Sequence, residues 1–261
     1  MILIKRSILL FLIISLTACD MIEYHPYETN LKELQSDLNA TNIDKLLKKT
    51  PLNDTLSFAF IGDNHYYYDE LIDFVNHINK EDVDFVIHAG DLTDCGTKRE
   101  YVWFYDIMNK LDMPYFTAVG NHDLSGDGKT VFNHVFGETN FAFTYNKTKF
   151  VFLNTNKLES IEPVPDTIFT QAQVADTISS AHNKTVVIAH QFSAACQAQI
   201  YEAIKDLKNI QFVGQGHSHV YSHEWESELG VERITTPSTT LRQYLLFEVS
   251  DKHYSYQLKT F

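Results

Sequence analysis

Aspartate, asparagine and histidine recur in five short groups, and most stand close behind a glycine. The groups are Gly62-Asp63-Asn64-His65, Gly90-Asp91-Leu92-Thr93-Asp94, Gly120-Asn121-His122-Asp123, the single His190, and Gly216-His217-Ser218-His219. Asp63, His65, Asp91, Asn121, His190, His217 and His219 offer carboxylate, amide or imidazole donors and no thiolate. That chemistry suits borderline-hard divalent cations such as Mn, Fe or Zn in a working site better than a structural zinc. Seven ligands exceed what one tetrahedral ion uses and divide naturally between two, with a carboxylate bridging ions about 3.5–4 Å apart. The neighbouring His122-Asp123 suits a general acid near neutral pH, because a carboxylate stabilises and orients an imidazolium.

Each group closes an apolar run, and the runs imply the elements that must position the chemistry. Leu56–Ile61, Val83–His88, Tyr115–Val119, Thr185–Ala189 and Ile210–Val213 read as short buried strands. Helical spacing is predicted between them at Asp69–Lys80, Lys98–Lys110, Gln171–Ala181 and Gln197–Leu207. Alternating strand and helix argues for an α/β fold with mostly parallel strands. The stretches 141–154 and 220–259 are aromatic and β-branched without helical spacing, so they read as antiparallel strands extending the sheets. In open α/β sheets the crevice lies beyond the carboxyl ends of the strands, where all five groups fall.

The ordered set DxH, GDxxD, GNHD, His and GHxH resembles the calcineurin-like metallophosphoesterase family over about Phe58 to His219, most of the chain. The resemblance implies a single-domain, four-layer α-β-β-α sandwich of two mixed sheets flanked by helices. It implies two divalent metal ions, with Asp63, His65 and His219 on the first, Asn121, His190 and His217 on the second, and Asp91 bridging. His122 matches the family histidine that contacts phosphate and protonates the leaving oxygen, Asp123 its orienting partner, and Asn121 lies against the substrate. The implied function is hydrolysis of a small-molecule phosphate mono- or diester by metal-bound hydroxide. A non-catalytic metal-binding protein that keeps the fold is the other reading, and the retained His122-Asp123 pair argues against it. Gly90 to Gly96, with Tyr101 and Pro114, look most like the cyclic-nucleotide phosphodiesterase-type branch. Two positions depart from the usual pattern: Gln191 follows the fourth-group histidine where His or Pro is usual, and Asn154-Thr155-Asn156 stand where many members carry Asp.

The 261 residues carry 34 acidic and 21 basic side chains, a formal net charge of −13, and 44% hydrophobic residues. This is globular composition, and its acidity argues against a protein that stably grips nucleic acid. Bound cations would reverse the field that a phosphate meets. Lys5 and Arg6 precede an apolar stretch from Ile8 to Leu16, too short for a bilayer-spanning helix and typical of a secretory signal. Leu16-Thr17-Ala18-Cys19 resembles a bacterial lipobox, which implies cleavage after residue 18, lipidation of Cys19, and a membrane anchor at the bacterial cell envelope. A conventional signal or an uncleaved anchor is the other reading. Residues 19–51 read as a tether with one or two short helices, and 52–261 as the catalytic domain.

Several residues have plainer readings beside the functional one. Cys95 and Cys196 form no CxxC pair, so they are either a disulfide or two buried thiols. Asp94 is a turn or helix cap, or a group behind the metals; His88 reads as a satisfied strand histidine and His223 as surface. At most one ring of Tyr66-Tyr67-Tyr68 is expected to line the pocket, and Val131–Phe136 reads as core.

Overall fold

Leu56–Ile61 is apolar at all but one position, as a strand covered on both faces requires, and it forms the centre of the first sheet as β1. The computed structural model describes residues 30–32, 34–49, 55–156, 184–192, 200–201, 204, 207, 209–250 and 253–261. The N-terminal signal, Cys19, the expected helix Gln171–Ala181 and Cys196 lie outside the described residues.

Strands β2 (Phe85–His88) and β3 (Tyr115–Thr117) continue the first sheet parallel to β1. Strands β10 (Gln243–Val249) and β11 (Tyr254–Thr260) add to its other side antiparallel, giving the order β11-β10-β1-β2-β3. The second sheet has the order β4-β5-β6-β7-β9-β8, from Phe141–Tyr145, Thr148–Leu153, Lys184–Ala189, Ile210–Gln215, Val231–Thr235 and Ser222–Glu226 in that spatial order. Its inner four strands are parallel and its edges β4 and β8 are antiparallel, so the aromatic stretches are mixed rather than wholly antiparallel. The whole second sheet is inserted in the chain between β3 and β10.

Aromatic side chains join the two sheets face to face. Phe58 and Phe60 from β1, Phe85, Phe116, Phe143, Phe150, Phe212 and Phe247 are buried there together. The Phe58 ring stacks on Phe247 at 4.9 Å and meets Phe150 edge-on at 5.6 Å, both favourable aromatic geometries. Helices α2 (Tyr68–Ile78), α3 (Lys98–Met108) and α4 (Gly128–Phe136) cover the outer face of the first sheet, burying Leu71, Phe74, Tyr101, Phe104, Phe132 and Phe136. On the outer face of the second sheet Val151, Val187 and Val213 pack against Ile200, Tyr201, Ile204 and Leu207. The result is the α-β-β-α sandwich, and Val131–Phe136 is core as expected, carried on a helix.

Helix α1 (Leu38–Leu47) has a task its apolar pattern did not announce. Asn39 donates to Thr117 O at 3.3 Å and accepts from Thr117 N at 3.1 Å, and Asn42 donates to Tyr115 O at 2.8 Å. These amides cover the open side of β3, an edge that would otherwise present unpaired backbone groups.

Candidate metal centre

The loops at the strand ends reach one crest because their backbones turn sharply there. Asp63, His65, Asp91, His217 and His219 all take left-handed conformations, with φ of 53°, 46°, 55°, 70° and 62°. Non-glycine residues avoid this region at a cost of order 1–3 kcal/mol each, and such outliers cluster where geometry serves a site. Gly120 permits a very close approach: a Cβ there would lie 2.1 Å from both the amide nitrogen and Oδ1 of Asp91.

All seven residues expected as ligands meet at this crest. Asp63, His65 and His219 present ligating atoms within 4.8 Å of one another, and so do Asp91, His190 and His217. Asp91 also lies within that distance of His65 and His122. His65 Nε2 faces His219 Nε2 at 3.3 Å, and His190 Nε2 faces His217 Nδ1 at 3.3 Å. Asn121 Oδ1 is 3.1 Å from both His190 Nε2 and His217 Nδ1. Each cluster draws on both sheets, since Asp63, His65, Asp91 and Asn121 follow β1–β3 whereas His190, His217 and His219 follow β6 and β7.

These contacts set ligating atoms at the spacing a cation requires. His190 Nδ1 sits 2.9 Å from Ala89 O, an acceptor that keeps a proton there and turns Nε2 inward, where a proton or a cation can sit. That nitrogen then faces Asp91 Oδ2 at 3.2 Å and Asn121 Oδ1, both acceptors. Metal–nitrogen bonds of 2.0–2.1 Å imply ligand–ligand edges of about 3.3–3.4 Å in a tetrahedron, close to those seen here. Electrostatics point the same way. Burial pushes the fully enclosed Asp63 carboxyl up to about 7, partly offset by His190. Burial also opposes charge on His190, but the adjacent Asp91 carboxylate outweighs it and holds the imidazole protonated up to about 9. Burial lowers His65 and His217, which leaves them neutral and available as ligands.

His122 stands at the rim with 41% of its side chain exposed. Its orienting partner is not Asp123. Nδ1 lies 2.7 Å from Asp94 O, with the Asp94 carboxylate 3.7 Å away. Desolvation disfavours charge on His122, but the Asp94 carbonyl and the Asp91, Asp94 and Asp123 carboxylates overcome it and raise its pKa. Asp123 is fully buried and points inward. Its Oδ1 accepts from Thr93 N and Oγ1 at 3.0 and 2.9 Å, and its Oδ2 accepts from Gly120 N at 2.8 Å. It therefore fixes the loops that carry Asp91 and Asn121 and reaches His122 through space. The His122 amide donates to Asp91 Oδ1 at 2.9 Å.

Other positioning groups were not visible as motifs. Glu100 accepts from Asp94 N, Cys95 N and Thr97 N at 3.0, 3.1 and 2.9 Å, which holds the Asp94 loop from behind. Ser238 Oγ donates to Asp63 O at 2.7 Å and Thr239 Oγ1 to Gly62 O at 3.0 Å, clamping the first loop. The hydroxyl-rich run Thr235-Thr236-Pro237-Ser238-Thr239-Thr240 from the end of β9 was the available signal. The two departures from the family pattern meet each other: Gln191 Nε2 donates to Asn156 Oδ1 at 3.1 Å, and Thr155 Oγ1 to Gln191 O at 2.6 Å. His88 is buried, with Nδ1 accepting from Gly90 N at 3.3 Å, and burial lowers it to about 3. Its Nε2 lacks a hydrogen bond, so it is less satisfied than expected. Cys95 is a free, exposed thiol rather than a buried one.

The calcineurin-like phosphoesterase family model matches residues 56–221. A probable cyclic nucleotide phosphodiesterase of Ruthia magnifica subsp. Calyptogena magnifica is 23% identical over 219 residues, 77% of this chain and 88% of its own. A probable glycerophosphodiester phosphodiesterase, GpdQ, of Arcobacter nitrofigilis is 44% identical over 55 residues, only 20% of each chain. Among solved structures, a dimetal phosphatase from Danio rerio superposes with a TM-score of 0.64 at 11% identity, covering 78% of this chain and 96% of its own.

Proposed function

This chain belongs to the calcineurin-like phosphoesterase family, and from that premise we propose that it hydrolyses phosphodiesters at a two-cation centre between the ends of its sheets. The observation that carries the reading is the convergence of Asp63, His65 and His219 on one side and Asp91, His190 and His217 on the other. Asn121 would complete the second set, and Asp91, within reach of both, would bridge. The curated relatives named as phosphodiesterases favour diesters over monoesters.

Two divalent cations, when bound, supply Lewis acidity towards phosphoryl oxygens and a lowered pKa for the attacking water. The chain's own part is positional and protonic. Asp123 and Thr93 lock the loop that presents Asn121 and His122. His122, held by the Asp94 carbonyl with its raised pKa, gives a proton to the leaving oxygen as the phosphorus–oxygen bond breaks. The rim position of His122 lets a substrate reach it from solvent.

The test is chelator-stripped protein reloaded with Mn, Fe or Zn and assayed on bis-p-nitrophenyl phosphate, p-nitrophenyl phosphate and nucleotide esters. Metal-dependent turnover with the diester fastest is the expected result. Faster monoester turnover overturns the diester preference, and full metal loading with no turnover on any ester leaves the non-catalytic reading. We also propose lipidation at Cys19 and attachment to the envelope of a bacterial cell, on the strength of the Leu16-Thr17-Ala18-Cys19 motif. Labelled palmitate should enter the wild-type chain and not Cys19→Ser; equal labelling, or none in either, refutes it.

A further inference from the structure

Tyr66 and Tyr67 follow His65 directly and are 56% and 37% exposed, an unusual outlay of aromatic surface beside a catalytic rim. Their rings stack at 4.5 Å with 25° between planes, and their hydroxyls lie 3.2 Å apart. The turn is fixed by Tyr67 N donating to Asn64 O at 2.8 Å and Tyr68 N to Tyr66 O at 3.0 Å. Tyr68 leaves the pair and packs edge-on against Trp103 at 5.3 Å, so it serves the helix layer instead. The pair is thus a flat, prearranged aromatic surface one residue from a candidate metal ligand.

Its side of the site is identified by Asp94. That residue's carboxylate is 3.4 Å from His65 Nδ1 and its carbonyl holds His122, and the His65 ring, directly before Tyr66 in the chain, meets the His122 ring edge-on at 4.6 Å. His122 marks where the leaving oxygen departs, so Tyr66 lies on the leaving-group side.

We propose that Tyr66 and Tyr67 form a stacking platform for a planar aromatic ring on the leaving group, which makes esters of nucleosides or aryl alcohols preferred over those of flexible aliphatic alcohols. The inference rests on the phosphodiesterase reading and specifies its substrate class. Stacking a base on an aromatic side chain corresponds to a KM effect of about 10–100-fold. An idle surface pair would show no such selectivity.

Tyr66→Ala, Tyr67→Ala and Tyr66→Phe are compared with wild type in metal-loaded full-length protein. KM and kcat are measured on a nucleoside diester, bis-p-nitrophenyl phosphate and a glycerol-based diester. The alanine variants should raise the ratio of ring-bearing to aliphatic KM by ~10–100-fold, with kcat moving by less than about threefold, and Tyr66→Phe should retain the wild-type ratio. A rise on both ring-bearing substrates assigns the ring itself, and a rise on the nucleoside alone assigns the base; both support the platform. Equal KM changes on all three substrates, or none, overturn it. Calorimetry with adenosine 5′-monophosphate and ribose 5-phosphate separates this proposal from the hydrolase reading. If no ester is turned over, a preference for the adenosine compound that Tyr66→Ala abolishes keeps the platform while the hydrolase reading falls. Turnover without any ring preference removes the platform alone.

Discussion

His122 has one contact that its sequence neighbours do not foretell: the partner on Nδ1 is a backbone carbonyl, that of Asp94. A carbonyl belongs to any residue, so residue type could not identify it, whereas the Asp and His residues that converge on the crest were legible because chemistry and position at a run's end coincide. The expected His122–Asp123 pairing fails because the Asp123 carboxylate is committed to other donors. Asp123 is drawn under the loop by Gly120 N and Thr93, and both its oxygens are spent there. His122→Ala should lower kcat by ~10²–10⁴ with metal content retained, measured by turnover and elemental analysis. The loss should be smaller on nitrophenyl esters than on nucleoside esters, because nitrophenolate leaves without a proton. Asp94→Ala keeps the carbonyl but removes a carboxylate that raises His122. A raised pKa keeps the acid protonated to higher pH, so the alkaline limb of the kcat–pH profile should move to lower pH in this variant. An unmoved limb would show that the Asp94 carboxylate does not tune the acid.

Strands and helices were mostly readable, since β1 to β3 and the helices behind them follow simple apolar periodicity. What was not readable was how elements hold one another over long separations. Asn39 meets Thr117 across 78 residues and Asn42 meets Tyr115 across 73. In sequence these are two polar residues on a short helix. Asn39→Ala leaves a backbone donor and acceptor of the β3 edge without their partner, at about 1–3 kcal/mol. A Tm lower by roughly 3–9 °C is expected from thermal melts, and a smaller fall for Asn42→Ala, which removes one bond. The clamp by Ser238 and Thr239 on the Asp63 loop is of the same kind, acting over 175 and 177 residues. Gln191 and Asn156 show the complementary case. Each departs from the family pattern alone, and the structure makes them one hydrogen-bonded pair, so neither substitution is interpretable without the other.

For the molecule as a whole, the site behaves as a seam between two sheets, and its protonation state becomes a property of stability. His190 has its pKa raised to about 9 by Asp91. A raised histidine contributes stability that is fully present below its unfolded pKa, near 6.5, and is lost as pH climbs through the folded value. Chelator-treated protein should therefore melt lower at pH 9 than at pH 6.5, by roughly 3–8 °C. Divalent cation should abolish that difference, because a ligating imidazole is neutral at both pH values. Equal slopes with and without cation would separate His190 from the metal centre. The insertion of the whole second sheet between β3 and β10 has a temporal side too. His65 and His219 stand 154 residues apart, and loops of that span close late in folding. Ion capture at the proposed centre would therefore wait on assembly. A chain still emerging, or one clipped before β7, lacks His217 and His219, one member of each cluster, so neither cation set is complete until the two sheets have docked.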